Sequence, residues 1–97
     1  MDERSRIDKW LWHARFFRSR ALAQNAATSG LIRVNGTRIG KPSASVRPGD
    51  VVTLPRGREV VVVRIESLAE RRGPAREAQT LYSVVSGTVL DPAAPGS

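Results

Sequence analysis

Over the first thirty positions the apolar residues fall at helical spacing. Ile7, Trp10, Leu11 and Ala14 recur at i, i+3, i+4 and i+7, which lines them along one stripe of a short amphipathic helix. The pattern predicts a helix over Ser5 to Phe17, with Ser5 placed to cap its start and Asp8 where a carboxylate meets the positive helix end. Phe17-Arg18-Ser19 interrupts the pattern. Ser19 offers a fresh cap for a second helix, Arg20 to about Thr28, with Leu22, Ala23, Ala26 and Ala27 inward. Gly30 is the stop, since it takes a left-handed conformation without a Cβ penalty. Two helices joined by a tight corner result.

Downstream the spacing turns strand-like. Leu31-Ile32-Arg33-Val34 runs into Asn35-Gly36, a strong tight-turn signal. Thr37 to Val46 is rich in turn residues and predicts an irregular basic loop. Pro48-Gly49-Asp50 turns into a short strand, Val51 to Leu54, and a longer β-rich run covers Glu59 to Leu68. Arg71-Arg72-Gly73-Pro74 breaks the sheet. Ala75 to about Val84 accommodates a short last helix, while Thr80, Tyr82, Val84 and Val85 tolerate strand as well. Residues 86–97, with two Pro and two Gly and little to bury, predict a flexible tail. The chain is accordingly expected to hold one α+β domain over 5–85, two N-terminal helices on a small, mostly antiparallel sheet, with no internal repeat.

Charge changes this picture most. The net charge of +7 is unevenly placed: residues 1–8 sum to −1, residues 9–49 to +8, and residues 50–97 to zero. Lys9, Arg15, Arg18, Arg20, Arg33, Arg38, Lys41 and Arg47 lie in a stretch that contains no acid. Such a field attracts polyanions, whereas evenly mixed charge does not. Fourteen of the sixteen cations are Arg, whose guanidinium takes phosphate with two parallel hydrogen bonds. Arg15, Arg18 and Arg20 are expected to crowd the helical corner, with Arg33 on the next strand and Arg38 and Lys41 in the loop. Their repulsion is relieved by a phosphate backbone, with release of counterions.

Other chemistries fall away. Without Cys there is no disulfide, thiolate site or thiol nucleophile, and His13 alone builds no histidine metal cluster. A lone His on a helix is expected to be structural. No acid/base pair or Ser-His-Asp set is legible, and Gly36, Gly40 and Gly49 lack the spacing of a phosphate loop. The longest apolar run, Val60–Val63, is too short for a bilayer span, and the polar start lacks a signal-peptide core. The expectation is a cytoplasmic binding protein, not an enzyme, with no cofactor, metal, small-molecule substrate or membrane partner. Trp10 lies on the apolar stripe and is expected in the core. Trp12 lies off it, to cover a neighbouring element or meet a partner. No dense aromatic strand face is present, so backbone and shape recognition is favoured over base stacking.

One ordered set of motifs goes further. Arg6-Ile7-Asp8-Lys9-Trp10-Leu11-Trp12, Ala14-Arg15-Phe16, Ser19-Arg20-Ala21-Leu22-Ala23, Gly30, Val34-Asn35-Gly36, Lys41-Pro42-Ser43 and Gly49-Asp50 follow one another closely. Over residues 6–54 this resembles the RNA-binding domain named after small-subunit ribosomal protein four, a helix–helix–strand unit called the αL motif. Arg71-Arg72-Gly73-Pro74-Ala75-Arg76-Glu77-Ala78 and Leu81-Tyr82 resemble the narrower heat-shock protein fifteen family and carry the likeness to about residue 82.

The resemblance implies non-catalytic docking on structured ribosomal RNA of the large subunit, in rescue or recycling of stalled nascent-chain–tRNA complexes, with tRNA as a further candidate partner. It also implies that Arg6, Lys9, Arg15, Arg18, Arg20, Arg33 and Lys41 fall on or beside the RNA-facing surface, joined by Arg38 from the charge pattern. Asp8 is then expected to orient arginines instead of touching RNA. Better-known members of that family continue into a long, Lys/Arg-rich C-terminal extension; here the residues after Val85 carry one charge, Asp91. Two other readings stay open at this point: a general structured-RNA or tRNA-binding module, and an adaptor for an acidic protein surface.

Overall fold

The computed structural model describes residues 3–90. A two-residue strand β1 (Ser5–Arg6) leads into helix α1 (Ile7–His13), and a corner joins α1 to α2 (Arg20–Thr28). Strands β2 (Arg33–Val34), β3 (Thr37–Arg38), β4 (Ser45–Val46), β5 (Val51–Arg56) and β6 (Glu59–Ile65) follow. A one-turn helix α3 (Ala75–Ala78), a 3-10 turn (Gln79–Leu81) and strand β7 (Tyr82–Leu90) complete the described chain. The main sheet has the order β3-β2-β5-β6-β7 with every neighbouring pair antiparallel, and β1 pairs with β4 separately. This is the expected α+β arrangement, including a short C-terminal helix.

The helical stripe is the core of the molecule. Ile7, Trp10, Leu11 and Ala14 are buried against Ala23, Ala26 and Ala27 of α2 and against Val52, Leu54, Val61, Val63 and Ile65 of the sheet. In the sheet, Val52 opposes Val63 and Leu54 opposes Val61, so alternate residues of β5 and β6 supply one inward face. Truncating a fully buried large side chain such as Trp10 to Ala costs about 3–5 kcal/mol.

Helix α1 is shorter than its pattern predicts, and the reason lies at its C-terminal end. Arg15 takes φ +65°, its N–H donates to Trp12 O, and the Phe16 N–H reaches back to Leu11 O, both at 3.1 Å. This is a Schellman stop with arginine in the left-handed position that glycine usually fills. At the other end, Arg6 occupies the cap without a side-chain bond, and Ser5 pairs in β1 with Val46 instead of capping. Helix α2 follows its prediction: Ser19 Oγ accepts the Leu22 N–H at 3.1 Å, and Gly30, at φ +76°, closes the same stop through Ala27 and Ala26 carbonyls. Leu22, expected inward, is instead 47% exposed, because the three alanines already fill the face toward α1 and the sheet.

Three further boundaries move. Leu31 is exposed and only Arg33–Val34 pair as strand, turning at Asn35 and Gly36, both at positive φ as a two-residue hairpin requires. The expected loop from Thr37 to Val46 contains β3 and β4, strands too short to show alternation. The last helix ends its α-turn at Ala78, and strand continues from Tyr82 through Leu90, over positions 86–90 that the sequence placed in a tail. Positions 91–97 of that expected tail lie outside the described residues.

Candidate nucleic-acid interface

Three separate devices position the elements that bear the predicted basic residues. The first is Asp8, fully buried at the start of α1. Its Oδ1 accepts Arg6 Nε at 3.1 Å and the Lys9 backbone N–H at 2.7 Å, and its Oδ2 accepts Arg6 Nη2 and Gln24 Nε2, both at 3.1 Å. Arg20, the first residue of α2, brings Nε to 3.5 Å from Oδ2 without a hydrogen bond. Burial pushes the Asp8 carboxyl up. The hydrogen bonds from Arg6, Gln24 and Lys9 N–H, with the charge of Arg20, outweigh that and hold it below its ordinary value. The side chains of Arg6 and Arg20 remain 47% and 39% exposed, so one buried acid holds two partly exposed arginines. The loop bearing Lys41 docks on the same spot, through Ile7 N–H to Ala44 O (2.8 Å) and Asp8 N–H to Pro42 O (3.3 Å).

The second device fixes the corner. Arg15 Nε donates to Gly73 O at 2.8 Å, and Arg72 reaches back, with Nε on Trp12 O at 3.1 Å and Nη2 on Phe17 O at 3.4 Å. The Arg72 guanidinium lies 5.4 Å from the centre of the Trp12 ring, so Trp12 covers a neighbouring element. Trp10 Nε1 donates to Ser67 O, and His13 Nδ1 meets Ala69 O, both at 3.1 Å. Residues 67–73 thus form a strap across α1. Of the three corner arginines, Arg15 donates to the strap, Arg20 lies beside Asp8, and Arg18 is exposed. His13 is buried, and burial chiefly lowers its pKa, opposed by Ala69 O and reinforced by Lys9, Arg20 and Arg72. The ring is therefore neutral, with Nδ1–H donating to the carbonyl. That is a structural role.

The third device is the β2–β3 hairpin. Arg33 and Arg38 are direct cross-strand partners and so project from the same face. The Arg38 stem lies across Gly30, where a Cβ would stand 3.1 Å from its Cδ, and this carries the hairpin charge to the C-terminal end of α2. Asn35 ties the hairpin to β5: its Nδ2 donates to Asp50 Oδ1 at 3.0 Å and its Oδ1 accepts the Val51 N–H at 2.9 Å. Two motifs that were separate in the sequence, Val34-Asn35-Gly36 and Gly49-Asp50, are one joint.

The strap and the Gln24 contact escaped sequence reasoning. Arg71-Arg72-Gly73-Pro74 was visible as a break and as part of a family motif, not as a strap, and nothing marks an exposed-looking Gln as the partner of an acid sixteen positions earlier. Among the described residues, no group of three or more His, Asp or Glu could hold a metal ion, and no helix is long and apolar enough to cross a membrane.

The model of the S4 domain matches residues 5–52, a segment that contains Arg6, Lys9, Arg15, Arg18, Arg20, Arg33, Arg38 and Lys41. Heat shock protein 15 of Escherichia coli (strain K12) is 40% identical over 84 residues, 87% of this chain and 62% of that protein, so the chain spans less than two thirds of this relative. The RQC P-site tRNA stabilizing factor of Bacillus subtilis (strain 168) is 34% identical over 80 residues, 82% of this chain and 91% of that protein. Among solved structures, the trimeric Heat Shock Protein 15 of Vibrio cholerae matches with a TM-score of 0.81 at 43% identity, covering 87% of this chain and 84% of that one.

Proposed function

This chain belongs to the S4 domain family, and on that premise we propose that it binds structured ribosomal RNA, without catalysis, through Arg6, Lys9, Arg15, Arg18, Arg20, Arg33, Arg38 and Lys41. The site of action is the large ribosomal subunit, in the rescue or recycling of stalled nascent-chain–tRNA complexes in the cytoplasm. Two relatives support that context by name, one a heat shock protein and the other a P-site tRNA stabilizing factor. The similarity to the second, over most of its length, favours contact with tRNA on the ribosome over a general RNA module.

The observation that carries the reading is the placement of Arg33 opposite Arg38. Like charges directly opposed across strands destabilise a hairpin by a few tenths of a kcal/mol to about 1 kcal/mol. Among the described residues no carboxylate pairs with either. A backbone phosphate between the two guanidiniums turns that repulsion into two charge-assisted contacts. Residues 50–97, by contrast, carry balanced charge.

The test is equilibrium binding to large-subunit ribosomal RNA across a series of KCl concentrations. Each of Arg18→Ala, Arg33→Ala and Arg38→Ala should weaken binding and flatten the log–log salt slope by roughly 0.7–0.9 for every phosphate no longer neutralised. Arg71→Glu and Arg76→Glu should cost less than Arg18→Glu and Arg33→Glu. Equal losses from both sets would reject this surface. An adaptor for an acidic protein would keep its partner in excess ribosomal RNA, and crosslinked RNA without large-subunit or tRNA enrichment would leave only the general module.

A further inference from the structure

We infer that Asp8 is a positioning residue of the RNA interface, fixing Arg6 and Arg20 side by side so that Arg20 presents an unengaged guanidinium fork to a backbone phosphate. The inference rests on the proposed RNA-binding function and goes beyond it by assigning an acid to a basic site.

Exposure separates this arrangement from an ordinary structural ion pair. Asp8 is fully buried, yet the arginine side chains it holds are 47% and 39% exposed. Burying a carboxylate costs several kcal/mol unless partners compensate, and an apolar residue of similar volume often serves stability as well. A carboxylate kept there and surrounded by donors therefore does something an apolar side chain cannot, which is to hold cations in place.

Hydrogen-bond capacity then distinguishes the two arginines. An ionised carboxylate has about four acceptor positions. Arg6 Nε, Arg6 Nη2, Lys9 N–H and Gln24 Nε2 occupy all of them. Arg20 is drawn to the same group by charge, but its buried Nε finds no acceptor. It is thus localised without being engaged. Arg6 has given one edge of its guanidinium to Asp8, and Arg20, with its Nε buried, keeps its terminal Nη donors for a ligand. A phosphate, with oxygens spaced for two parallel N–H donors, fits that fork. Lys41, one residue from the Pro42 carbonyl that accepts the Asp8 N–H, supplies a further positive charge nearby.

The sign of the Asp8→Asn effect makes the inference sharp. Removing an acid raises the net charge by one, and a charge-only interface would then bind RNA more tightly. A positioning role predicts the reverse. With large-subunit ribosomal RNA as probe, Asp8→Asn should weaken binding by about tenfold, the scale of one charge-assisted contact. The loss should disappear in an Arg6→Ala/Arg20→Ala background, a coupling that a general loss of stability would not produce. Arg20→Lys, which keeps the charge on an accessible side chain and removes the fork, should weaken binding several-fold and decides the matter if Asp8→Asn does not fold. A folded Asp8→Asn that binds as tightly as the wild type, or more tightly, overturns the inference, as does an Arg20→Lys variant of unchanged affinity. A wild-type chain without salt-dependent RNA binding overturns the functional reading itself, a result recognisable before any variant is made.

Discussion

Replacing Arg15 by glycine and by alanine separates what its backbone does from what its side chain does. Both variants lose the guanidinium and the bond from Nε to Gly73 O, worth about 1 kcal/mol net for a partly exposed contact. They differ at φ +65°, where an L-residue is disfavoured by about 1–2 kcal/mol and glycine is not. Glycine gives back part of that advantage, about 0.4–1 kcal/mol, through the greater freedom of its unfolded chain. Arg15→Ala should therefore lie about 1 kcal/mol below the wild type and Arg15→Gly close to it. In a domain of this size the gap between the variants corresponds to about 2–8 °C in Tm. Urea unfolding and calorimetry read the stability, and RNA titration of the same samples reads the charge. Affinity should fall equally in the two variants, since both lack the same cation. An alanine variant as stable as the glycine variant would refute the left-handed stop at position 15. A glycine variant that retained full RNA affinity would remove Arg15 from the interface.

His13 makes stability depend on pH near neutrality. Its folded pKa is lowered from 6.5, so the unfolded chain takes up a proton first as pH falls. Stability should be complete above about pH 6.5 and decline below it, by at most about 1.4 kcal/mol per pH unit, until the folded-state value is passed. His13→Gln, still able to donate to Ala69 O, should flatten that window; parallel stability curves would contradict the buried neutral ring. Asn35→Ala should cost about 1–2 kcal/mol in urea unfolding, from the removal of two side-chain bonds and a left-handed φ of 53°. A change below about 0.5 kcal/mol, within the range of ordinary surface substitutions, would deny that the hairpin is tied to β5 through this side chain.

What was legible in the sequence depended on whether the controlling contact was local. Ser19 and Gly30 bound α2 as predicted because each acts on its own helix end. Asn35-Gly36 announced its turn for the same reason. The end of α1 was hidden, since no sequence signal marks an arginine at positive φ. Strands of two residues, such as Ser5–Arg6 and Ser45–Val46, carry no alternation to detect. In the run from Ala75 the helix-forming residues last one turn, and beyond Tyr82 β-branched Val84 pairs with Val63 of β6, with Val85 at a register shift. Seven of the eight proposed positions lie in the acid-free stretch and Arg6 entered through the family resemblance, but the contacts that hold them were not legible. Gln24 and the strap reach Asp8 and α1 across sixteen to sixty positions of sequence.

That last separation changes what the charge profile means. The acid-free stretch from Lys9 to Gly49 suggests a binding half beside a neutral remainder. The remainder is not passive. Through Ser67, Ala69, Arg72 and Gly73 it makes five hydrogen bonds to α1 and the corner. One comes from Arg15, and two end on carbonyls at Trp12 and Phe17, on either side of Arg15. Asp8, just outside the acid-free stretch, does the corresponding work at the other end of α1. Basic side chains in free solution repel and spread; here a buried carboxylate and a strap of backbone carbonyls hold several of them before any ligand arrives. Preorganisation of that kind lowers the ordering cost of binding. It follows that Arg72, though cationic, should be assigned by its effect on stability and not pooled with Arg71 and Arg76 in any count of RNA contacts.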